Sequence, residues 1–250
     1  AITSATWVFV LLAPVTIGFE QWNWRAAGVF ALIGCLFPAS VTILTFYSNR
    51  LIGPNFTGAL GNLAPLFAVG GAIALLGEPA DSGKIVGVII IFSGVVLLYR
   101  GPRPGAMTAI GWAFALPIGA AFVRGGVQPL IKTGLEDWPN PFAAITIGYL
   151  VSTLVVLGGS AVRERGWPVS YSRKGWFWFA AVGLSNGLAV FCTYQALALG
   201  PVTMVAPLIA CYPLATLAVG RMFNGAAAIT RHAVTGILVT VAGVAVLLIV

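Results

Sequence analysis

Residues 53–79 have the sequence GPNFTGALGNLAPLFAVGGAIALLGEP, which is apolar over enough length to span a bilayer as a helix. Gly58, Gly61 and Pro65 interrupt this stretch. They weaken a continuous helix, because glycine costs backbone entropy and proline lacks the N–H that a helix uses. The stretch is therefore predicted to be a broken membrane span, of the kind that occurs where the chain is buried or lines a cavity.

A related stretch, GPVTMVAPLIACYPLATLAVG, follows at residues 200–220. Seven residues of the first half recur in the second half: Tyr47/Tyr194, Gly53/Gly200, Pro54/Pro201, Ala59/Ala206, Pro65/Pro213, Gly87/Gly236 and Gly94/Gly243. The spacing within these pairs grows from 147 to 148 and then to 149 positions, as small insertions would produce. The chain thus contains two copies of one unit. Matched spans interrupted by glycine or proline in the two halves of a membrane chain indicate a transporter's binding site.

The composition indicates an integral membrane protein. Of the 250 residues, 59% are hydrophobic and only 8% are charged, whereas a soluble domain has about 25% charged residues. The long apolar runs favour helices, because a membrane barrel would show alternating segments of roughly ten residues. The net charge of +7 arises from basic residues in short loops. It is therefore interpreted as a signal of membrane orientation, with a lipid bilayer and no nucleic acid as partner.

Nine spans are predicted, and they are connected by short loops: 1–19, 26–47, 55–77, 84–100, 107–131, 141–162, 174–198, 201–222 and 229–250. The second copy holds five of them, so the first lacks one helix, and about 40 further residues are expected upstream of Ala1. Units with an odd number of helices insert in opposite orientations. The predicted fold is an all-α polytopic bundle of two inverted five-helix repeats, at residues 1–101 and 106–250.

The loops also predict an orientation. Odd-numbered connections hold three basic residues: Arg25, Lys84 and Lys132. Even-numbered connections hold nine: Arg50, Arg100, Arg103, Arg163, Arg165, Arg173, Lys174, Arg221 and Arg231. Because cytoplasmic loops carry the excess of lysine and arginine, the even-numbered connections are expected in the cytoplasm.

Two motifs resemble those of the drug/metabolite transporter superfamily, in its EamA-type branch. The first is LLGEPADSGKIVGVIIIFSGVVLLYRG, residues 75–101, and the second is the run Tyr-Gln-Ala-Leu-Ala-Leu-Gly-Pro at 194–201 with Pro213 beyond it. The resemblance implies ten helices, a central substrate cavity, alternating access and the export or import of small metabolites. The second copy departs from the pattern, since it has Asn224-Gly225 where the first has Gly77-Glu78.

Polar residues inside the broken spans are the first candidates for a site. Asn62 in span three must face protein, because an unpaired amide is costly in hydrocarbon. It either lines a cavity with Pro65 or makes an interhelical hydrogen bond worth about 0.6 kcal/mol. Tyr212 and Thr216 are four residues apart in span eight, and backbone freed by nearby prolines offers further polar groups. These prolines can equally serve only to kink the helix.

Two further spans supply candidates. Asn186 lies on span seven with Tyr194, the repeat equivalent of Tyr47, which either lines one end of a cavity or belongs to an interfacial aromatic belt. Arg124 is a cation inside span five, and it either reaches the interface or provides a counter-charge for an anionic substrate. Glu78 ends span three and is expected to cap or pair at the loop.

No sequence motif of an enzyme is present: the chain has no HExxH, GxSxG or Walker-type pattern. Cys35, Cys192 and Cys211 lack metal-ligand spacing, so neither a metal, a cofactor nor a catalytic residue is expected. Gly83, Gly87 and Gly94 predict close helix packing, within one protomer or in a homodimer.

The favoured function is a secondary transporter of small metabolites in the plasma or inner membrane. It is expected to act as an exporter. Its site would combine Asn62, Pro65, Arg124, Asn186, Tyr194, Tyr212 and Thr216. The alternatives are a flippase for lipid or lipid-linked substrates, a membrane-embedded enzyme and a structural or receptor subunit.

Overall fold

A computed structural model describes residues 2–17, 22–98, 111–164, 173–212, 214–215, 218 and 231–249. Within these residues the chain forms helices and turns and no strands. The helices are α1 (Ile2–Thr16), α2 (Trp24–Leu36), α3 (Ala39–Ile52), α4 (Pro54–Gly61), α5 (Ala64–Gly71), α6 (Ser82–Leu98), α7 (Ala115–Asp137), α8 (Pro141–Glu164), α9 (Arg173–Leu199), α10 (Val202–Ile209) and α11 (Arg231–Ile249). A π-helical turn, Ala72–Leu76, follows α5. The predicted all-α fold is confirmed.

The length and surface of these helices suit a bilayer. Among the described residues, four helical stretches are long and apolar enough to cross a membrane: Trp24–Ile52, Trp112–Asp137, Pro141–Gly159 and Gly175–Leu199. Shorter apolar helices accompany them. Large apolar side chains such as Leu11 and Leu188 are mostly exposed, as lipid-facing side chains are. The predicted multi-pass membrane protein is therefore confirmed.

Helix α7 ends later than predicted. Span five was expected to end at residue 131, with Lys132 in the following loop, but α7 continues to Asp137. The polar sequence KTGLED looks like a loop, yet Lys132 donates from Nζ to the carbonyl oxygens of Leu197 at 3.0 Å and Gly200 at 3.2 Å. A lysine at these last carbonyls of α9 also suits the negative end of that helix dipole.

The described chain divides into two compact units, Ala1–Ile43 with Leu130–Gly200 and Leu44–Pro129 with Pro201–Val250. These units do not coincide with the sequence copies. The first unit groups α1 and α2 with their repeat equivalents α8 and α9. The second groups α4 and α6 with their equivalents α10 and α11, so each unit combines matched helices from both copies. The unit boundaries fall within α3 and α7.

In the first unit, α1 and its equivalent α8 are antiparallel. The hydroxyl groups of Thr6 and Thr153, which are repeat equivalents 147 positions apart, are hydrogen-bonded at 2.7 Å. Three residues further along α1, Phe9 packs on Phe142, which lies earlier in α8, with ring centroids 5.7 Å apart. A residue that contacts its own equivalent lies on the two-fold axis that relates the copies.

In the second unit, α6 and its equivalent α11 have the same relation. A Cβ atom added to Gly94 would lie 2.6 Å from the Thr240 nitrogen, and one added to Gly243 would lie 2.7 Å from the Ile91 nitrogen. Because Gly94/Gly243 and Ile91/Thr240 are both pairs of equivalents, these contacts are reciprocal. The close-packing role predicted for Gly94 and the inverted orientation of these matched helices are both confirmed.

Candidate functional site

Two equivalent helix breaks are the central feature of the second unit. Asn62 and Leu63 form a turn between α4 and α5, and Ala210 and Cys211 form a turn directly after α10, 148 positions on. The N–H of Asn62 donates to the Gly58 carbonyl at 3.2 Å, and the N–H of Ala210 donates to the Ala206 carbonyl at 3.2 Å. The backbone pattern of the break is thus repeated in both copies.

Proline explains why the first break cannot close. Pro65 has no N–H, so the Gly61 carbonyl lacks the partner that a continuous helix would supply four residues on. The chain tightens instead, and the N–H of Leu66 donates to the Leu63 carbonyl at 3.0 Å. The equivalent proline, Pro213, lies outside the described residues.

The two breaks border one cleft within the second unit, with an empty volume of about 250 Å³ including its mouth. Asn62, Pro65 and Leu66 line it from the first break, and Pro207 and Ala210 line it from the second. Apolar side chains of α6 complete the wall: Val88, Ile91, Phe92 and Val95. The inner space admits roughly one water-sized group.

Asn62 is the polar side chain of this cleft. It is only 3% exposed, and its Nδ2 donates to the Gly58 carbonyl at 3.0 Å. No donor in the described part of the chain reaches its Oδ1. An acceptor left without a partner in such a place costs about 1–3 kcal/mol. This buried oxygen is therefore a candidate acceptor for a ligand.

A second set of polar side chains, Tyr149, Asn186 and Tyr194, belongs to the first unit. Tyr149 and Tyr194 are buried at 2% and 3% exposure. Asn186 donates from Nδ2 to the Tyr149 hydroxyl at 2.9 Å. Sequence reasoning selected Asn186 and Tyr194 and missed Tyr149. The sequence does mark this region as a candidate, because Tyr149, Ser152 and Thr153 are polar residues within the apolar span six.

The structure distributes the predicted site residues over both units. Asn62 and Pro65 line the cleft together, and in the same unit Arg124 and Tyr212 are exposed, Tyr212 at 43%. Asn186 and Tyr194 belong to the first unit. Thr216 lies outside the described residues, and the grouping of all seven around one cavity stays a prediction.

Hydrogen bonds connect the residues that follow the π-helical turn to the first residues of α10. Gly77 has a φ of +66°, in the left-handed region that glycine adopts without strain. Glu78 follows, and its two carboxylate oxygens accept from the N–H groups of Val202 and Thr203, both at 2.8 Å. The predicted capping role of Glu78 is therefore confirmed.

Equivalent helices in opposite orientations, with helix breaks beside a cleft, are typical of one class of membrane protein, the multi-pass helical carriers. The model of the EamA-like transporter family matches residues 1–100 and 109–249, so the chain belongs to the EamA-like transporter family. It is thus a multi-pass membrane transporter of small molecules.

The solved structures include a match to the whole fold. One, described only as "Crystal structure of protein", has a TM-score of 0.75 and 16% identity, and the match covers 99% of this chain and 85% of the other. At that identity the similarity shows the fold alone. No curated protein matches the chain.

Proposed function

We propose that the protein is a secondary transporter that exports small polar or amphipathic metabolites across the plasma or inner membrane by alternating access. The observation that carries this proposal is the pair of equivalent helix breaks at 62–63 and 210–211. Breaks of this kind, at equivalent places in inverted copies, are where secondary carriers bind their substrates.

The residues of the breaks suit this role. Pro65 leaves a backbone carbonyl without its helical partner, and Asn62 adds a side-chain oxygen, so the cleft offers polar groups within apolar walls. Tyr212 and Thr216 would extend the site along span eight. Asn186 and Tyr194 would contribute hydrogen bonds, and Arg124 would provide a charge at the rim.

Inverted copies also supply two conformations of similar energy. Each copy can adopt the conformation that the other has, and exchanging the two would open the site first to one side of the membrane and then to the other.

Replacing Asn62 by leucine is expected to reduce transport at least about tenfold, because the ligand loses a hydrogen bond worth about 1.4 kcal/mol or more. Tyr212→Leu is expected to act in the same direction. The measurement is the release of metabolites from proteoliposomes loaded with a cell extract, followed by mass spectrometry. Asn49→Leu is the matched control, since Asn49 is a half-buried asparagine on α3 of the same unit. Normal transport in both site variants would show that these groups serve helix packing alone.

A further inference from the structure

We propose that Asn62 selects the substrate, by accepting a hydrogen bond from a small uncharged donor group, such as a hydroxyl or an amide N–H, that enters the cleft. This inference rests on the proposed transport function and deepens it by naming the chemistry that the cleft recognises.

The Asn62 amide has one atom without a hydrogen-bond partner among the described residues. One N–H of its Nδ2 donates to the Gly58 carbonyl, which fixes the plane of the amide, and Oδ1 has no donor among the described residues. A donor group on a ligand would supply the partner that Oδ1 lacks. A substrate with only acceptors at this point would leave Oδ1 without a partner.

The charge and size of the cleft restrict which chemical groups enter it. Its described lining includes no charged side chain, so an ammonium or carboxylate group would be desolvated without a counter-charge, which is strongly unfavourable. The inner space holds roughly one water-sized group. Only a small terminal group therefore enters, and the rest of the substrate remains at the mouth.

The two copies differ in polarity at equivalent positions of the cleft. Asn62 and Ala210 occupy equivalent positions of the two turns, and both line the cleft. The acceptor is therefore present on one side only, although the backbone offers the same position on the other. Exchanging the two residues would move the acceptor across the cleft while keeping its composition.

The test uses the full chain in detergent, with Cys35, Cys192 and Cys211 replaced by serine and Leu66→Cys added at the mouth of the cleft. Two probes of similar size, benzyl alcohol and benzyl fluoride, are compared for their ability to protect this cysteine from a maleimide. The ratio of their protecting concentrations is taken in each variant, because partition into detergent is the same for all variants.

The preference for the alcohol is expected to fall about tenfold in Asn62→Leu, as the loss of one such hydrogen bond predicts. It is expected to return in the exchanged variant Asn62→Ala/Ala210→Asn. Asn62→Asp is expected to favour benzylammonium over the alcohol, because it adds a negative charge. An unchanged ratio in Asn62→Leu, or no protection by either probe in the parent protein, would overturn the inference.

The outcome is separable from that of the transport proposal. A tenfold change in the ratio without any metabolite release from proteoliposomes would support Asn62 as the selecting group and contradict the transport function. Metabolite release with an unchanged ratio would support the transport function and contradict Asn62 as the selecting group.

Discussion

Replacing Gly125 by alanine is expected to destabilise the second unit by about 3 kcal/mol or to prevent its folding, because the added methyl group has no space. It would overlap the Ala64 carbonyl oxygen, and it would lie 2.7 Å from the Phe67 Cβ and 2.9 Å from the Ala68 nitrogen. Two of these atoms are backbone atoms of α5, so the helix itself has to move. Since α5 begins at the break beside the cleft, transport is expected to fall as well.

Gly126 provides a matched control in the adjacent position. A Cβ atom there meets nothing within 4 Å, so Gly126→Ala is expected to be neutral or to stabilise helix α7 by up to about 1 kcal/mol. Thermal unfolding in detergent and the fraction of monodisperse protein measure both variants. Equal stability of the two variants would contradict the close contact between α7 and α5.

Removing the Glu78 carboxylate is expected to cost about 2 kcal/mol, because two backbone N–H groups at the start of α10 lose a charged acceptor. The negative charge also stabilises the positive end of the helix dipole. In a chain of this size, Glu78→Ala should lower the melting temperature by roughly 4–8 °C. Glu78→Gln keeps one carbonyl acceptor and should have a smaller effect.

Asp81→Asn is the control for the loss of an acid in the same loop. Asp81 is exposed and pairs with Lys84 at 3.0 Å, and such surface pairs contribute about 0–1 kcal/mol. Its melting temperature is therefore expected to stay close to that of the wild type. A drop as large as that of Glu78→Ala would show that loop charge, and not the cap on α10, stabilises this region.

The internal repeat predicted much of the fold. The spacing of 147 to 149 residues identifies which helices are equivalent, and an odd number of helices per copy implies that equivalents are antiparallel. The Thr6–Thr153 hydrogen bond and the reciprocal contacts of Gly94 and Gly243 agree with this. The sequence did not predict the two compact units, because equivalence between helices does not show which helices touch.

The site was predictable only where a local rule applies. Proline at 65 marks the first break from sequence alone, because it removes a backbone donor. The contact between Gly125 and α5 depends on residues far apart in the chain, which no local pattern encodes. Lys132 was misplaced for a similar reason, since its partners, the carbonyls of Leu197 and Gly200, hold a polar segment in helical form.

Alternating access requires that the matched breaks open in turn to both sides of the membrane. A single cysteine placed by Ala210→Cys in the cysteine-free protein tests it most directly, with a small membrane-impermeant thiol reagent applied separately to right-side-out and inside-out vesicles. Alternating access predicts labelling from either side, slowed by a transported metabolite. Labelling from one side only, however long the exposure, would contradict the account.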